Sequence, residues 1–204
     1  TLLANAEARV YLINLFVYGA CAVLIEDFLS VYLLTDFSNT NPAIVGFMTA
    51  ITGLSEMPVY RIVSPWILKK NLPLVSVMTL AQLVLAVRCL CYTALPDPWL
   101  VLPVEMLHGI TFATVWCMQV EYGKRLVPVE AQPRMQMLIS TLLFQASYGS
   151  GGLFWGRAIN KLGFRQCFCL DALCVVMWVL VWRTVGGSVV KVGGMRALDN
   201  VKQE

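Results

Sequence analysis

Long apolar runs, each closed by a few polar or turn-forming residues, organise this chain. A helix needs about 20 mostly apolar residues, with a range of about 17–25, to cross a bilayer. Six runs reach that length: Val10–Leu34, Pro42–Trp66, Leu72–Ala94, Trp99–Gly123, Gln136–Gly156 and Gln166–Trp182. The breaks carry turn chemistry or charge: residues 35–41 (TDFSNTN), Lys69-Lys70-Asn71, Pro96-Asp97-Pro98, 124–134 and 157–165. The first run is too long for a signal-peptide core, which spans roughly 7–15 residues. The pattern predicts an all-α, polytopic transmembrane helix bundle of six spans. Residues 1–9 read as a cytosolic N-terminal segment or linker, 10–184 as the membrane unit, and 185–204 as a flexible, glycine-rich cytosolic tail. Thr1 in place of Met is read as the start of a fragment of a longer protein.

The spans divide three and three. The break after span two and the break after span five are both short, basic and opened by a helix breaker, Pro65 and Gly156. Alternation puts them on opposite sides of the membrane, as an inverted three-helix repeat requires. Basic residues concentrate on the cytosolic side of membrane proteins. With both termini inside, Arg9, Lys69, Lys70, Lys124, Arg125, Arg134, Arg183, Lys191, Arg196 and Lys202 face the cytosol; Arg157, Lys161 and Arg165 face outside.

Composition narrows the function. Hydrophobic residues make up 58% and charged residues 13% of the 204, against roughly 45–50% and 25% in soluble domains. That excess rules out a soluble enzyme, and the net charge of +3 marks no nucleic-acid-binding patch. The seven cysteines form no C-x-x-C pair and the chain has one histidine, so neither a metal site nor another cofactor is expected. Catalytic motifs such as H-E-x-x-H, the P-loop or G-x-S-x-G are absent from the sequence, which points away from an enzyme. The Tyr148-Gly149-Ser150-Gly151-Gly152 stretch lies inside an apolar run and suits close helix packing.

The chemistry lies in ionisable residues inside the spans: Glu26, Asp27, Glu56, Arg61, Arg88, Glu105, His108, Glu121 and Asp171. Charge at membrane depth is costly and usually faces a cavity or a partner. Arg88 lies nine residues before Asp97 and Glu105 eight after it, so the antiparallel pair joined by the Pro-Asp-Pro turn puts both at one depth. His108 follows one turn deeper on the same face, and Phe112, Trp116 and Gln119 continue it. Glu26, Asp27 and Asp171 fall near the same level. Glu56 lies mid-span beside Pro58, which removes a helix hydrogen bond and is expected to open the backbone next to a cavity. Carboxylates outnumber cations there, and a carboxylate with no counter-charge in a medium of low dielectric can take and release a proton. His108 is placed to relay it. A structural Arg88–Glu105 pair is the plain alternative for those two residues, and snorkelling accounts for Arg61 and Glu121.

Two stretches carry a family resemblance. Residues 98–113 (PWLVLPVEMLHGITFA) with Trp116 and Tyr122, and residues 54–60 (LSEMPVY), resemble the C-terminal six-helix half of major facilitator superfamily transporters. The branch is the lactose-permease-like one that includes proteins of the domain-containing protein 6 type. The resemblance covers about residues 10–184. It implies spans seven to twelve of a twelve-helix, alternating-access transporter whose N-terminal half is missing here. It further implies proton symport of a small polar solute such as a sugar, with Glu56, Arg88, Glu105 and His108 matching the chemical types of that branch's coupling residues. Glu precedes His on span four here, the reverse of the branch's order. Lys69 and Lys70 fall where the superfamily has its basic cytosolic loop, without that loop's usual Gly and Asp. The expected partners are the lipid bilayer, the missing half, the solute and protons, with no nucleic acid. Plasma and internal membranes are equally open. A non-transporting receptor or scaffold on the same fold is the rival.

Overall fold

A computed structural model describes residues 6–38, 40–70 and 73–201, with side-chain surroundings for all of these except 63, 64, 66–70 and 188–201. Eight α-helices follow in order: α1 Ala6–Thr35, α2 Ala43–Lys70, α3 Leu74–Thr93, α4 Val101–Glu105, α5 Thr114–Arg125, α6 Gln132–Ser140, α7 Tyr148–Leu162 and α8 Phe164–Val201. A 3₁₀ turn, Pro98–Leu100, leads into α4. A π-helical segment, Gly109–Ala113, leads from the α4 region into α5, and another, Thr141–Ser147, joins α6 to α7. The fold is all-α.

Among the described residues, five helical stretches are long and apolar enough to cross a membrane: Ala6–Thr35, Ala43–Ile62, Leu74–Thr93, Pro98–Arg125 and Phe164–Gly187. The fifth expected span corresponds to the rod running from α6 through the second π segment to α7. That rod is not among the five. Gln136, Ser140, Thr141, Gln145, Ser147 and Ser150 interrupt its apolar run. The backbone of the expected tail continues α8 as far as Val201.

The turn chemistry acts as the sequence suggests. The Asp97 carboxylate accepts the Trp99 N–H at 2.8 Å and caps the 3₁₀ turn. Gly163 ends α7 at φ +83°, a left-handed conformation that costs a residue without Cβ little. Pro58 behaves differently from expectation: α2 runs unbroken through both Pro58 and Pro65. The irregular backbone lies instead in the two π segments.

Packing is nearly symmetric between the two halves. α3 packs most extensively on α8; α1 packs on the α6–α7 rod, and α2 on the α4–α5 span; α1 meets α8 as α3 meets the α4–α5 span. Exchanging the first three spans with the last three maps this pattern onto itself, which is what a three-plus-three repeat produces. The α1–α3–α8 seam holds apolar side chains such as Leu85, Phe168 and Val175. Within it, Asn14 Oδ1 accepts from both Gln82 Nε2 and Trp178 Nε1 at 2.8 Å. Lipid tails offer helices no hydrophobic drive to associate, so such polar stitches and small residues hold a membrane bundle together. Large apolar side chains such as Leu54, Met57 and Ile62 remain exposed on α2, as a lipid- or partner-facing surface needs.

Gly151 brings α7 close against α1. A Cβ there would meet the Ala20 carbonyl oxygen at 2.7 Å and Ala20 Cα at 2.9 Å, both backbone atoms that cannot turn aside. A Cβ at Gly152 would meet nothing within 4 Å. Gly151→Ala is therefore expected to destabilise the bundle by about 1–3 kcal/mol, and Gly152→Ala to leave it unchanged or slightly more stable. Thermal melts of the two variants in detergent check the contrast; equal melting temperatures would contradict the packing.

Candidate functional site

Arg88, in the last two turns of α3, is fully buried. Its five N–H groups demand partners in a region without bulk water. Nη2 donates to both Glu105 oxygens, at 3.0 and 3.1 Å. Nη1 donates to Thr111 Oγ1 at 2.8 Å, and Nε donates to the Tyr92 hydroxyl at 3.2 Å. The Tyr92 hydroxyl in turn donates to Glu105 Oε1. Glu105 is almost completely buried and fully engaged. Its place at the end of α4, with Thr111 in the following π segment, sets both acceptors opposite α3. Tyr18 on α1 donates to the Thr111 carbonyl at 3.1 Å and ties a third span to the knot.

A second, looser group sits beside this sealed pair. His108 Nε2 lies 3.0 Å from Glu56 Oε1 on α2, and His108 Nδ1 lies 3.5 Å from Glu26 Oε1 on α1. The second contact is ion-pair proximity rather than a hydrogen bond, and Nδ1 has no hydrogen-bond partner. Glu26 also approaches Arg88 Nη1, at 4.0 Å. The side chains of Glu26 and Glu56 are about a quarter exposed (25% and 24%), whereas those of Arg88 and Glu105 are sealed at 0% and 3%. The exposure opens into a cavity of about 320 Å³ between α1, α2 and the α4–π segment. Its wall includes Glu26, Ser30, Thr49, Thr52, Glu56, His108 and Phe112.

An aromatic ladder runs from the cavity wall. Phe112 stacks on His108 with centroids 5.3 Å apart, and Trp116 stacks on Phe112 at 6.2 Å, with interplanar angles of 19° and 18°. Phe144, in the second π segment, and Tyr148 extend it at 5.6 Å per step. Gly109 holds the first π segment against α2: its N–H donates to Ser55 Oγ at 3.0 Å, and a Cβ there would overlap the Ser55 carbonyl. The sequence favours the wide turn because only a glycine lets the two backbones come this close.

The structure thus brings together Glu26, Glu56, Arg88, Glu105, His108 and Phe112, with Trp116 one step further along the ladder. Asp27 is exposed and outside the cluster. Gln119 is buried in α5 with its Oε1 unpartnered. Lys69 and Lys70 end α2, and their side chains lie outside the described residues. Asp171 shares the level but not the cluster. It is fully buried on the α3–α8 side, where the Cys89 thiol donates to Oδ2 at 3.2 Å. Tyr92, Thr111 and Tyr18 belong to the knot and are not read as site residues from the sequence. The first two were within reach: Tyr92 lies four residues after Arg88 and Thr111 three after His108, on the same helix faces.

Removing one partner of a buried ion pair strands the other charge. Arg88→Met is expected to cost about 3–5 kcal/mol of stability. The double variant Arg88→Met/Glu105→Met is expected to recover most of that loss, since a matched apolar pair replaces a matched charged one. Detergent melts of the single and double variants measure this; a double variant as unstable as the sum of the singles would show that the two do not act as a pair.

Comparisons with known proteins identify the family of the chain. The model of the MFS_1 like family matches residues 1–170. The chain is similar to a major facilitator superfamily domain-containing protein 6-like protein of Danio rerio, with 23% identity over 185 residues, covering 88% of this chain and 33% of the relative. The chain therefore spans about a third of the length of the curated relative it matches. No solved structure matches it. Helices able to cross a membrane and the match over most of the chain agree: this is an integral, multi-pass membrane chain, and it belongs to the MFS_1 like family of the major facilitator superfamily.

Proposed function

We propose that the chain is the C-terminal six-span half of a twelve-span secondary transporter that couples a small polar solute, such as a sugar, to a proton. The observation that carries this reading is the division of charge. Arg88 and Glu105 satisfy one another, with Glu105 reaching the cavity wall almost completely buried, while Glu26, Glu56 and His108 face the cavity. A carboxylate–imidazole–carboxylate series open to water can load and release a proton. A scaffold has no need to keep such a series at membrane depth.

The bundle leaves α2 and the cavity side uncovered. A missing N-terminal half closing over that side would complete the pathway, and rocking of the two halves would expose it alternately. Both termini lie in the cytosol in this reading, with Lys69 and Lys70 in the cytosolic break between spans two and three. The host membrane is the plasma membrane or an internal one. Chemistry on the solute is not part of the mechanism; the work is binding and exposure.

The test uses the full-length protein in proteoliposomes. A solute gradient across the membrane is expected to move protons, and Glu56→Gln to abolish that movement while the protein stays folded. Phe112→Cys, in a background without native thiols, is expected to react with a polar thiol reagent. No proton movement together with an unreactive Cys-substituted position 112 would overturn the reading in favour of a receptor or scaffold.

A further inference from the structure

The cavity's charge does not close, and the excess names a kind of solute. Arg88 is spent on Glu105, which it meets with two hydrogen bonds. Two carboxylates, Glu26 and Glu56, then share a single imidazole. Among the described residues, their charged or titratable neighbours come from five elements. Asp27 and Tyr18 lie on α1, Tyr60 on α2, Arg88 on α3, Glu105 in α4, and Tyr148 on α7. Arg88 is the one cation among them, and its contact with Glu26 is a distant 4.0 Å. Even with His108 protonated, the open group keeps one uncompensated carboxylate.

Two further features point to a ligand rather than to a solvated acidic patch. The His108 side chain is more than nine-tenths buried, yet its Nδ1 is aimed at Glu26 without a hydrogen bond. The next wall residue along the same face is an aromatic ring, Phe112, stacked on His108 and backed by Trp116. Carboxylates and an aromatic face on the wall of one cavity suit an organic ammonium, held by charge at its head and by cation–π and apolar contact along its body.

Resting on the transport reading above, we infer that the cavity takes a monovalent organic cation, its ammonium between Glu26 and Glu56 and its body against Phe112, in exchange for a proton. The exchange follows from competition for one seat. A proton on either carboxylate removes the charge and the acceptor oxygen that would hold the ammonium between Glu26 and Glu56, so the pair takes the proton or the ammonium. Each cation that enters therefore displaces one proton from the pair, and each proton that returns expels the cation. The coupling is antiport for such a solute, driven by the proton gradient in the opposite direction.

The experiment compares two aryl solutes of similar size in proteoliposomes of the full-length protein, acidic inside. One is phenyltrimethylammonium, whose permanent charge prevents passive trapping as a weak base; the other is the neutral phenyl β-galactoside. The expected result is uptake of the cation above that of protein-free liposomes, with loss of protons from the lumen and inhibition by external acid. Glu26→Gln/Glu56→Gln is expected to reduce it at least about tenfold, the scale of removing close charge partners, while melting as the parent does. Proton-coupled movement of the galactoside but not of the cation would overturn the cation assignment and leave the transport reading standing. Movement of neither, with no binding of the labelled cation to the purified protein, would overturn both.

Discussion

A guanidinium at membrane depth governs the rest of this structure. Arg88 cannot lose its charge and cannot reach water, so the fold must bring acceptors to it. Glu105 supplies two oxygens, Tyr92 and Thr111 one each. These acceptors sit on α3, at the end of α4 and in the first π segment, and Tyr18 reaches in from α1. Arg88 thereby fixes two spans in register, and Tyr18 adds a third through the Thr111 carbonyl. The knot also decides which acids are free to do anything else. Glu105, the carboxylate nearest the cation, is the least available; Glu26 and Glu56, further off, keep oxygens turned to the cavity.

Asp171 shows that burial of an acid is not enough to make a site. It lies as deep in the protein as Arg88, yet no cation stands beside it among the described residues, and the Cys89 thiol donates to it. Its surroundings are the tightly packed α3–α8 face, where Phe168, Ala172 and Val175 fill the space. The acids against the cavity differ from it by access rather than by depth. The same contrast divides the bundle into two sides. On the α3–α8 side, Asn14 Oδ1 takes hydrogen bonds from Gln82 and Trp178 within the packed seam; on the α2 side polar groups line an open cavity.

Much of this was legible in the residues. Apolar run length gave the helices, and the Pro-Asp-Pro turn gave the common depth of Arg88 and Glu105, because an antiparallel pair must put equal counts from a turn at equal height. The limits were equally physical. Counting residues from a turn fixes depth but not the direction around the bundle, so Asp171 and Glu26 read alike although they face opposite sides. Pro58 read as a break, yet α2 absorbs it, since a proline's missing hydrogen bond in a long helix can be made good by neighbouring groups. The breaks that do occur are π segments, for which composition offers no comparable signal. Gly109 marked one of them only in retrospect, through its contact with Ser55. The rod from α6 to α7 passed as an apolar span because its polar residues are spread thinly, one or two per turn.

The π segments supply the geometry that an unbroken helix would have denied. Four residues overshoot one α turn of 3.6 residues, so side chains at i, i+4 and i+8 wind steadily around the axis. A π turn holds more than four residues, because its hydrogen bonds run from i to i+5. Four residues therefore undershoot it. The step from His108 to Phe112 passes through the wide turn, and the step from Phe112 to Trp116 passes mainly through α-helix. The two drifts oppose one another, and the three rings keep one line with nearly parallel planes. Phe144 and Tyr148 meet them from the second wide segment. The straightness of this ladder thus depends on the turn that Gly109 permits. The same turn sets Thr111 under Arg88, so the sealed knot and the open aromatic face are two consequences of one departure from the α-helix.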